Sequence, residues 1–575
     1  MPDHYLYLEA VNLGTVIDDT EDLSTRRAGG YMLLELVQEV AKDCNENLET
    51  ISIGASAGLF KLRTERPMAA ARAGVERVLS RPLYTQATVL VADTETDRID
   101  TGNFKTAREG LLAAVRHRQM QTLGWITEFG GPREPPLTFA RDAPRRATEA
   151  CEIDRMRPAV REAIFKKSPE TRWQSLSVTR RRDEGIGLRR RFYARELKRE
   201  TDIAALPDEV MQGHFTDHFD ELTAFDKNCK GDLPPALEHK MAVFYADGDS
   251  FGALAAGCES ADELNAWDRT VQSARRSFLR ALVDRIRSHP YGRLAGSKAT
   301  GSAAAVPSRL RLETLMWGGD EFRLVLPAWL ALEAVELFFQ TCNVEWPKGQ
   351  RRSHSAALVF AHHNAPIGPL QRLASDLADT AKAAKKSGGA PGLPAGADSL
   401  SWIVLESFDH AGGELDRYWQ RRELPGIDWP QMSLSAARLS ALRRHWPQVG
   451  KLLPRRALHR IVYGLQDWTL LDKQQRRLIE RAYANVHEAV DAVGAKDAWR
   501  AIWQALQLAP GDAGAWSAAP SPDAKPPAPD PAHLSAWLTL NELWDYLQPD
   551  APDPALAGAP ATEPTDPTEA TRAAA

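Results

Sequence analysis

Tyr245-Ala246-Asp247-Gly248-Asp249-Ser250-Phe251-Gly252 follows the apolar run Met241–Phe244, and Trp317-Gly318-Gly319-Asp320-Glu321-Phe322 lies between the apolar runs Leu312–Met316 and Leu324–Leu326. Each segment sets acidic residues at the end or turn of a buried strand, where an uncompensated carboxylate is costly. Two such costs in one unit imply carboxylates that share divalent cations. In a two-metal site the ions stand about 3.5–4 Å apart and clamp the attacking and leaving oxygens of a phosphoryl displacement. Magnesium suits a few carboxylates completed by substrate phosphates and water. The spacing admits that geometry. Asp247 closes one strand, and an amphipathic stretch over 261–286 follows, with Leu264, Trp267, Val271, Phe278, Leu282 and Ile286 apolar at helical spacing. Gly318 and Gly319 then tip a β-hairpin, where glycine tolerates positive φ and lets backbone approach a nucleotide. Gly-Gly-Asp and Asp-Gly-Asp are each ordinary turn sequences alone. Together, in this order and on apolar strands, they point to a palm-type nucleotidyltransferase or cyclase.

The unit resembles the catalytic palm of the large subunit of type III CRISPR complexes, a relative of the GGDEF diguanylate cyclases. The resemblance continues past the hairpin: 353–362 reads as the next strand, and Asn364-Ala365-Pro366-Ile367-Gly368-Pro369-Leu370 leads into a helix ending Ala381-Lys382-Ala383-Ala384-Lys385-Lys386. Diguanylate cyclases fit less well, because their two motifs lie closer together and no Arg-x-x-Asp site precedes Gly318, although Arg309 and Arg311 stand there. The resemblance implies a nucleoside triphosphate, ATP first among them, and two Mg²⁺ or Mn²⁺ ions per site. Asp247 and Asp320 would hold the ions, with Asp249 and Glu321 as additional or alternative ligands, and Asp247, Asp320 and Glu321 would be catalytic. Gly248, Ser250, Phe251, Gly252, Gly318 and Gly319 would surround the nucleotide, and Lys382 or Lys385 would neutralise its phosphates. A ribose hydroxyl would attack an α-phosphate, giving a cyclic oligonucleotide antiviral signal and pyrophosphate. RNA and other effector subunits would be partners.

The sequence also departs from that family. The hairpin reads Gly-Gly-Asp-Glu where CRISPR palms usually carry Gly-Gly-Asp-Asp. The chain opens in a palm rather than an HD nuclease, and His117, His214 and His218 lack a metal-binding pattern, so DNA cleavage is not expected. Glu149–Asp154 is like a remnant of the family's zinc region, but Cys151 has no partner cysteines. Two other readings stay open: a palm-derived scaffold that holds RNA or protein without turnover, and a diguanylate cyclase.

An internal repeat supports a two-palm organisation. Tyr7-Leu8-Glu9-Ala10-Val11-Asn12-Leu13-Gly14 aligns without gaps to 245–252, and Leu48–Ala57 aligns to Leu312–Glu321. Residues Ala87–Ala92 sit where Ala356–Ala361 sit in the second copy. Ser56 and Ala57 replace Asp320 and Glu321, Val11 replaces Asp249, and only Glu9 keeps a carboxylate. One carboxylate cannot hold two dications, so the first copy should be silent, the same asymmetry as in the CRISPR subunit. Asp22-Leu23 through Leu34 resembles the helix entry of that family's first palm. The expected fold is α+β: a degenerate ferredoxin-like palm over 1–131, a linker and helical basic insert over 132–239, and the catalytic palm over 240–412. A helical C-terminal domain over 413–508 and a mostly disordered Pro/Ala-rich tail over 509–575 complete it.

A chain of 575 residues accommodates several cores of this size. A net charge of −5 excludes a generic polyanion binder, so any nucleic-acid surface must be local. Five scattered cysteines without a C-x-x-C pair argue for a reduced, cytoplasmic protein with no disulfide framework. No signal peptide or membrane span is read. The insert carries Arg180–Arg182 and Arg189, Arg190 and Arg191 among Trp173, Phe192 and Tyr193. Basic residues interleaved with aromatics suit single-stranded nucleic acid; the neighbouring Asp183, Glu184, Glu196 and Glu200 equally suit a solvated helix flank. A second basic run, Arg438–Arg460, lies in the C-terminal helices and reads as a partner surface or a solvated face. In the tail, the apolar island His533–Leu547 should dock on a partner or back on the body.

Overall fold

The computed structural model describes residues 3–121, 149–164, 171–198, 214–226, 229, 232–296, 307–342, 344, 352–386, 393, 396–408, 412–422, 432–506 and 531–547. The expected linker at 132–146 and the tail apart from 531–547 lie outside these residues. The first unit runs β1 (Tyr5–Val11), α1 (Leu23–Asp43), β2 (Leu48–Ile53), β3 (Ala57–Leu62), α2 (Met68–Leu79), β4 (Thr88–Asp93) and α3 (Phe104–Gln121), with strand order β2-β3-β1-β4. A hairpin of β5 (Arg161–Ile164) and β6 (Thr171–Gln174) leads to α4 (Leu176–Leu197) and the short α5 (Phe219–Thr223).

The second unit repeats the first. It runs β7 (Lys240–Gly248), α6 (Phe251–Ala256), α7 (Ala261–Ser288), the two-residue pair β8 (Arg293–Leu294) and β9 (Arg309–Leu310), β10 (Glu313–Gly318), β11 (Glu321–Pro327), α8 (Ala331–Thr341), β12 (His354–His362), α9 (Ile367–Lys386) and β13 (Ser399–Val404). Helix α10 (Leu415–Arg422) and β14 (Ser433–Ser435) follow, and the sheet order is β10-β11-β7-β12-β13-β14. Its first four strands reproduce the first sheet. The likeness extends to irregularities. The β2–β3 register slips between Thr50 and Ser52, and the β10–β11 register slips between Thr314 and Met316, the aligned residues. Asn12 and Ser250, also aligned, both take left-handed backbone at φ 55° and 62°, a conformation uncommon outside glycine.

Sequence explains the main elements. Asp22 caps α1 by accepting from the Thr25 amide, and Ser260 caps α7 from the Glu263 amide, satisfying orphan donors of the first turn. On α7, Leu264, Trp267, Val271, Phe278, Leu282 and Ile286 are all buried, as their 3–4 spacing requires. Strand β12 carries the continuous apolar run of a strand covered on both faces.

Each palm covers the other's open sheet edge. From α7, Asn265 donates to the Thr50 and Ile51 carbonyls of β2 at 3.0 and 2.9 Å. From α1, Gly30 lies against the Leu315 carbonyl of β10, and Arg27 reaches Glu313 at 2.7 Å in a buried ion pair. Backbone groups that would otherwise template aggregation are thereby occupied.

The C-terminal boundary differs from the expected one. Strand β14, beyond residue 412, pairs with β13 and extends the second sheet. Helices α11 (Ala436–Val449), α12 (Arg455–Gln466), α13 (Lys473–Ala492) and α14 (Lys496–Ala505) continue the core rather than forming a detached bundle. Ser440 and Arg443 of the basic run both hold Glu336 of α8, so that part of the run has an internal role. The apolar island forms α15 (Pro531–Leu543) and docks on the body. The Trp402 indole donates to Glu542 at 3.1 Å, Trp544 donates to the Leu453 carbonyl at 3.1 Å, and the Tyr546 ring lies 4.0 Å from that of Phe360. All five cysteines are buried and none forms a disulfide. No described helix is long and apolar enough to cross a membrane.

Candidate active site

Strand β7 delivers Asp247 at its end, and the β11 register places Glu321 beside it, one step beyond the Phe322–Ala246 pair. Asp320 occupies the turn of the β10–β11 hairpin. Burial, and then the charge of the adjacent Asp247, push the Asp320 carboxyl up to about 7. Two carboxylates this close cannot both ionise freely without a cation. From α9, Lys382 reaches Asp247 in a half-buried ion pair. Three groups far apart in the sequence thus converge at one strand end.

Asp249 has a different environment. Its carboxylate accepts from Ser353 and Ser355 at 2.6 and 2.8 Å and pairs with Lys385. Burial opposes its ionisation, yet Lys385 and the serine hydroxyls outweigh that and hold its carboxyl below the ordinary value. Lys385 is itself buried and also donates to the His354 and Ala397 carbonyls. The Asp249–Lys385 pair therefore ties β7, β12 and α9 together, and Lys385 is not placed to meet a phosphate. Lys382 is the lysine at the mouth of the site. Glu321 leans away toward Arg323 at 3.0 Å, leaving its side chain 36% exposed.

The glycines divide the same way. Gly319 has φ +56° and open space where a side chain would stand, so it is free for close approach of a ligand. A Cβ on Gly318, however, would fall 2.1 Å from Ala55 Cβ and 2.3 Å from Ala55 Cα. Gly318 is small because the first palm's hairpin presses on it, which corrects the expectation that it admits nucleotide. Phe251 is likewise a core residue, 3% exposed and packed edge-on to Trp267, and its ring fills the space beside Gly248. Ser250 and Gly252 are exposed at the start of α6. Beneath the hairpin, buried Arg275 donates to the Gly319 carbonyl at 2.6 Å and stacks on Trp317. Glu196 accepts from the Trp317 indole and pairs with Arg195 and Arg276.

Two of the three expected nucleic-acid arginines have internal partners. Arg189 is buried and donates to the Thr216 and Leu312 carbonyls, and Arg191 pairs with Glu35. Phe192 and Tyr193 are buried in the core, so neither offers a stacking face. Arg190 is exposed. Ser353, Ser355, Arg275 and Arg323 were not foreseen as site residues. The alternation Ser353-His354-Ser355 opposite the Asp249 end of β7 was the available signal for two of them.

The aligned strand end of the first unit is arranged differently. Glu9 lies opposite Ala57, its carboxylate held by Arg116 at 2.8 Å and by the Tyr7 hydroxyl at 3.1 Å.

No family model matches the chain, and no curated protein matches it. Solved structures do. One is described as the crystal structure of a Csm1-Csm4 cassette in complex with cA4, at 13% identity and a TM-score of 0.46, covering 95% of this chain and 70% of that one. Another is Csm1 in T. onnurineus, at 14% identity and a TM-score of 0.41 over the same shares. A third is a Csm1-Csm4 cassette in complex with one ATP, at 13% identity and a TM-score of 0.39, covering 78% of this chain and 63% of that one. These structural neighbours are Csm1 subunits of type III CRISPR complexes, the family whose palm the two motifs resemble.

Proposed function

We propose that the second palm binds a nucleoside triphosphate, ATP first, and joins nucleotides into a cyclic product with release of pyrophosphate. The observation that carries this reading is the meeting of Asp247 and Asp320 at one strand end, with the Asp320 carboxyl driven up to about 7. A pair of hard oxygen donors that repel one another fits divalent cations. Asp247 and Asp320 would hold Mg²⁺ or Mn²⁺, and Glu321 could join them by swinging from Arg323. Bound there, the ions would polarise the α-phosphate and stabilise the charge on the leaving pyrophosphate. The chain's own residues do the rest. Lys382, beside Asp247, turns to the phosphates once a cation takes its place. Gly319 leaves room for the nucleotide, and Arg275 fixes the hairpin carbonyl that positions Asp320. Asp320, its carboxyl raised to about 7, gives up its proton as a cation binds. Asp249, locked to Lys385, keeps β7 and α9 in register.

The neighbours' complexes with cA4 and ATP are compatible with this reading, as are CRISPR effector subunits as partners. The test is incubation of the full chain with each nucleoside triphosphate and Mn²⁺, with and without RNA. A phosphatase-resistant product, best from ATP and absent in Asp320→Asn, is expected. A product from GTP alone would move the assignment to a diguanylate cyclase. No product under any condition would leave a scaffold.

A further inference from the structure

The far end of the catalytic sheet holds a second cluster that the proposed reaction does not use. Asp220 on α5, His239 just before β7 and His363 just after β12 each offer one ligand atom, and these atoms lie within 4.8 Å of one another. Asp220 Oδ1 stands 3.8 Å from His239 Nδ1, and the two imidazole rings are 5.0 Å apart. His362 flanks the pair with its ring 4.5 Å from that of His363.

Two independent observations single out His239. Its Nδ1 is buried and has no hydrogen-bond partner, an unmet cost for a polar atom. Its backbone is left-handed, at φ 62°, a conformation that in non-glycine residues persists only where surroundings enforce it. The surroundings do enforce it: its amide donates to the Thr223 carbonyl, and its carbonyl accepts from the His363 amide at 2.9 Å. The backbone is thus bent to aim an imidazole at Asp220 and His363, with nothing bonded to its inward nitrogen.

We propose that Asp220, His239 and His363 form a binding site for a divalent transition metal of the zinc class, separate from the nucleotide site. Two imidazoles and a carboxylate suit zinc, cobalt or nickel, whereas magnesium prefers oxygen donors. Ligand atoms around a tetrahedral zinc lie about 3.4 Å apart, as Zn–N bonds of about 2.0–2.1 Å require. Asp220 and His239 are partly exposed, at 58% and 41% of their side chains, and can rotate inward to close that gap. Water fills the remaining position. The eight residues from His239 to Asp247 place this site roughly 25 Å from the catalytic carboxylates at about 3.3 Å per residue. A bound ion would staple α5 to the ends of β7 and β12.

The test uses the full chain, stripped by chelator and then titrated with Zn²⁺ by calorimetry in excess Mg²⁺, which occupies the carboxylate site. Co²⁺ is the spectroscopic probe, because nitrogen ligation intensifies its visible absorption. One equivalent of Zn²⁺ is expected, with binding weakened more than about 100-fold in His239→Asn and in His363→Gln, beyond the roughly 10–100-fold of an outer-sphere change. Asparagine tolerates the left-handed backbone, so His239→Asn should keep its fold, checked by circular dichroism. Asp220→Asn, at an exposed position, should weaken binding at least about tenfold. Asp247→Asn should leave the Zn²⁺ equivalent intact. Failure of the wild-type chain to take up Zn²⁺, or wild-type affinity in the three cluster variants, would overturn the proposal.

Discussion

In the first palm the strand-end acid, Glu9, meets an arginine and a tyrosine hydroxyl, while in the second Asp247 meets another acid, Asp320. Around these opposite endings the backbone barely differs. Strand order, the slip in the hairpin register and the left-handed residue after the first strand recur at aligned positions. The lesson is that this backbone does not depend on paired strand-end carboxylates, so the acids differ between the copies without loss of fold. What the first copy keeps is what the pair needs for packing: a hairpin to press on Gly318 and an edge strand to receive Asn265.

The sharpest way to break this comparison is to neutralise the two acids in turn. Asp247→Asn or Asp320→Asn should lower pyrophosphate release from ATP by on the order of 10³-fold or more, whereas Glu9→Gln should change it less than about twofold. Equal damage from both would make the first palm part of the active site. Stability separates the copies by pH. The Asp320 carboxyl titrates near 7 in the folded protein and near 3.9 unfolded. Its ionisation cost is therefore absent below about pH 4, grows between 4 and 7, and is full above 7. Without divalent metal, Asp320→Asn should stabilise the protein by roughly 2–4 kcal/mol at pH 8 and by almost nothing at pH 4. Adding Mg²⁺ should raise the melting temperature of the wild type more than that of the variant. A gain that does not vary with pH would refute the raised titration of Asp320.

The paired hairpins give a third contrast. Gly318→Ala must push against Ala55 backbone and should cost about 1–3 kcal/mol in chemical denaturation. Gly319→Ala meets only open space at positive φ and should cost about 1 kcal/mol. A reversal of that order would mean that the palms do not touch there. Smallest of all, Lys382→Ala should raise the KM for ATP about threefold, roughly 0.6 kcal/mol, while Arg116→Ala leaves it unchanged.

The strands, the hairpin and the repeat were legible because they rest on local patterns. Apolar runs ending in Asp-Gly-Asp or Gly-Gly-Asp-Glu fix strand ends, and the repeat exposes the pairing of palms. Side-chain destinations were not legible. Lys382 and Lys385 stand three residues apart on one helix, yet one faces the site mouth and the other is sealed under Asp249. In the Arg189–Arg191 run, two buried carbonyls hold Arg189 and Glu35 pairs with Arg191, while Arg190 stays exposed. Gly318 looked like a ligand contact because its neighbour across the palm interface, Ala55, is far away in sequence. Long-range packing decided each case, and composition carries no record of it.

The covering of β2 by Asn265 has a consequence in time. The strand leaves the ribosome some two hundred residues before the helix that shields it. At about 5–20 residues per second the bare edge waits roughly 10–40 s for its cover. During that interval the first palm is a half-finished sheet in a crowded cell. A chain cut before Ala261 would keep that edge exposed for its whole life, and should be recovered as aggregate rather than as an isolated domain.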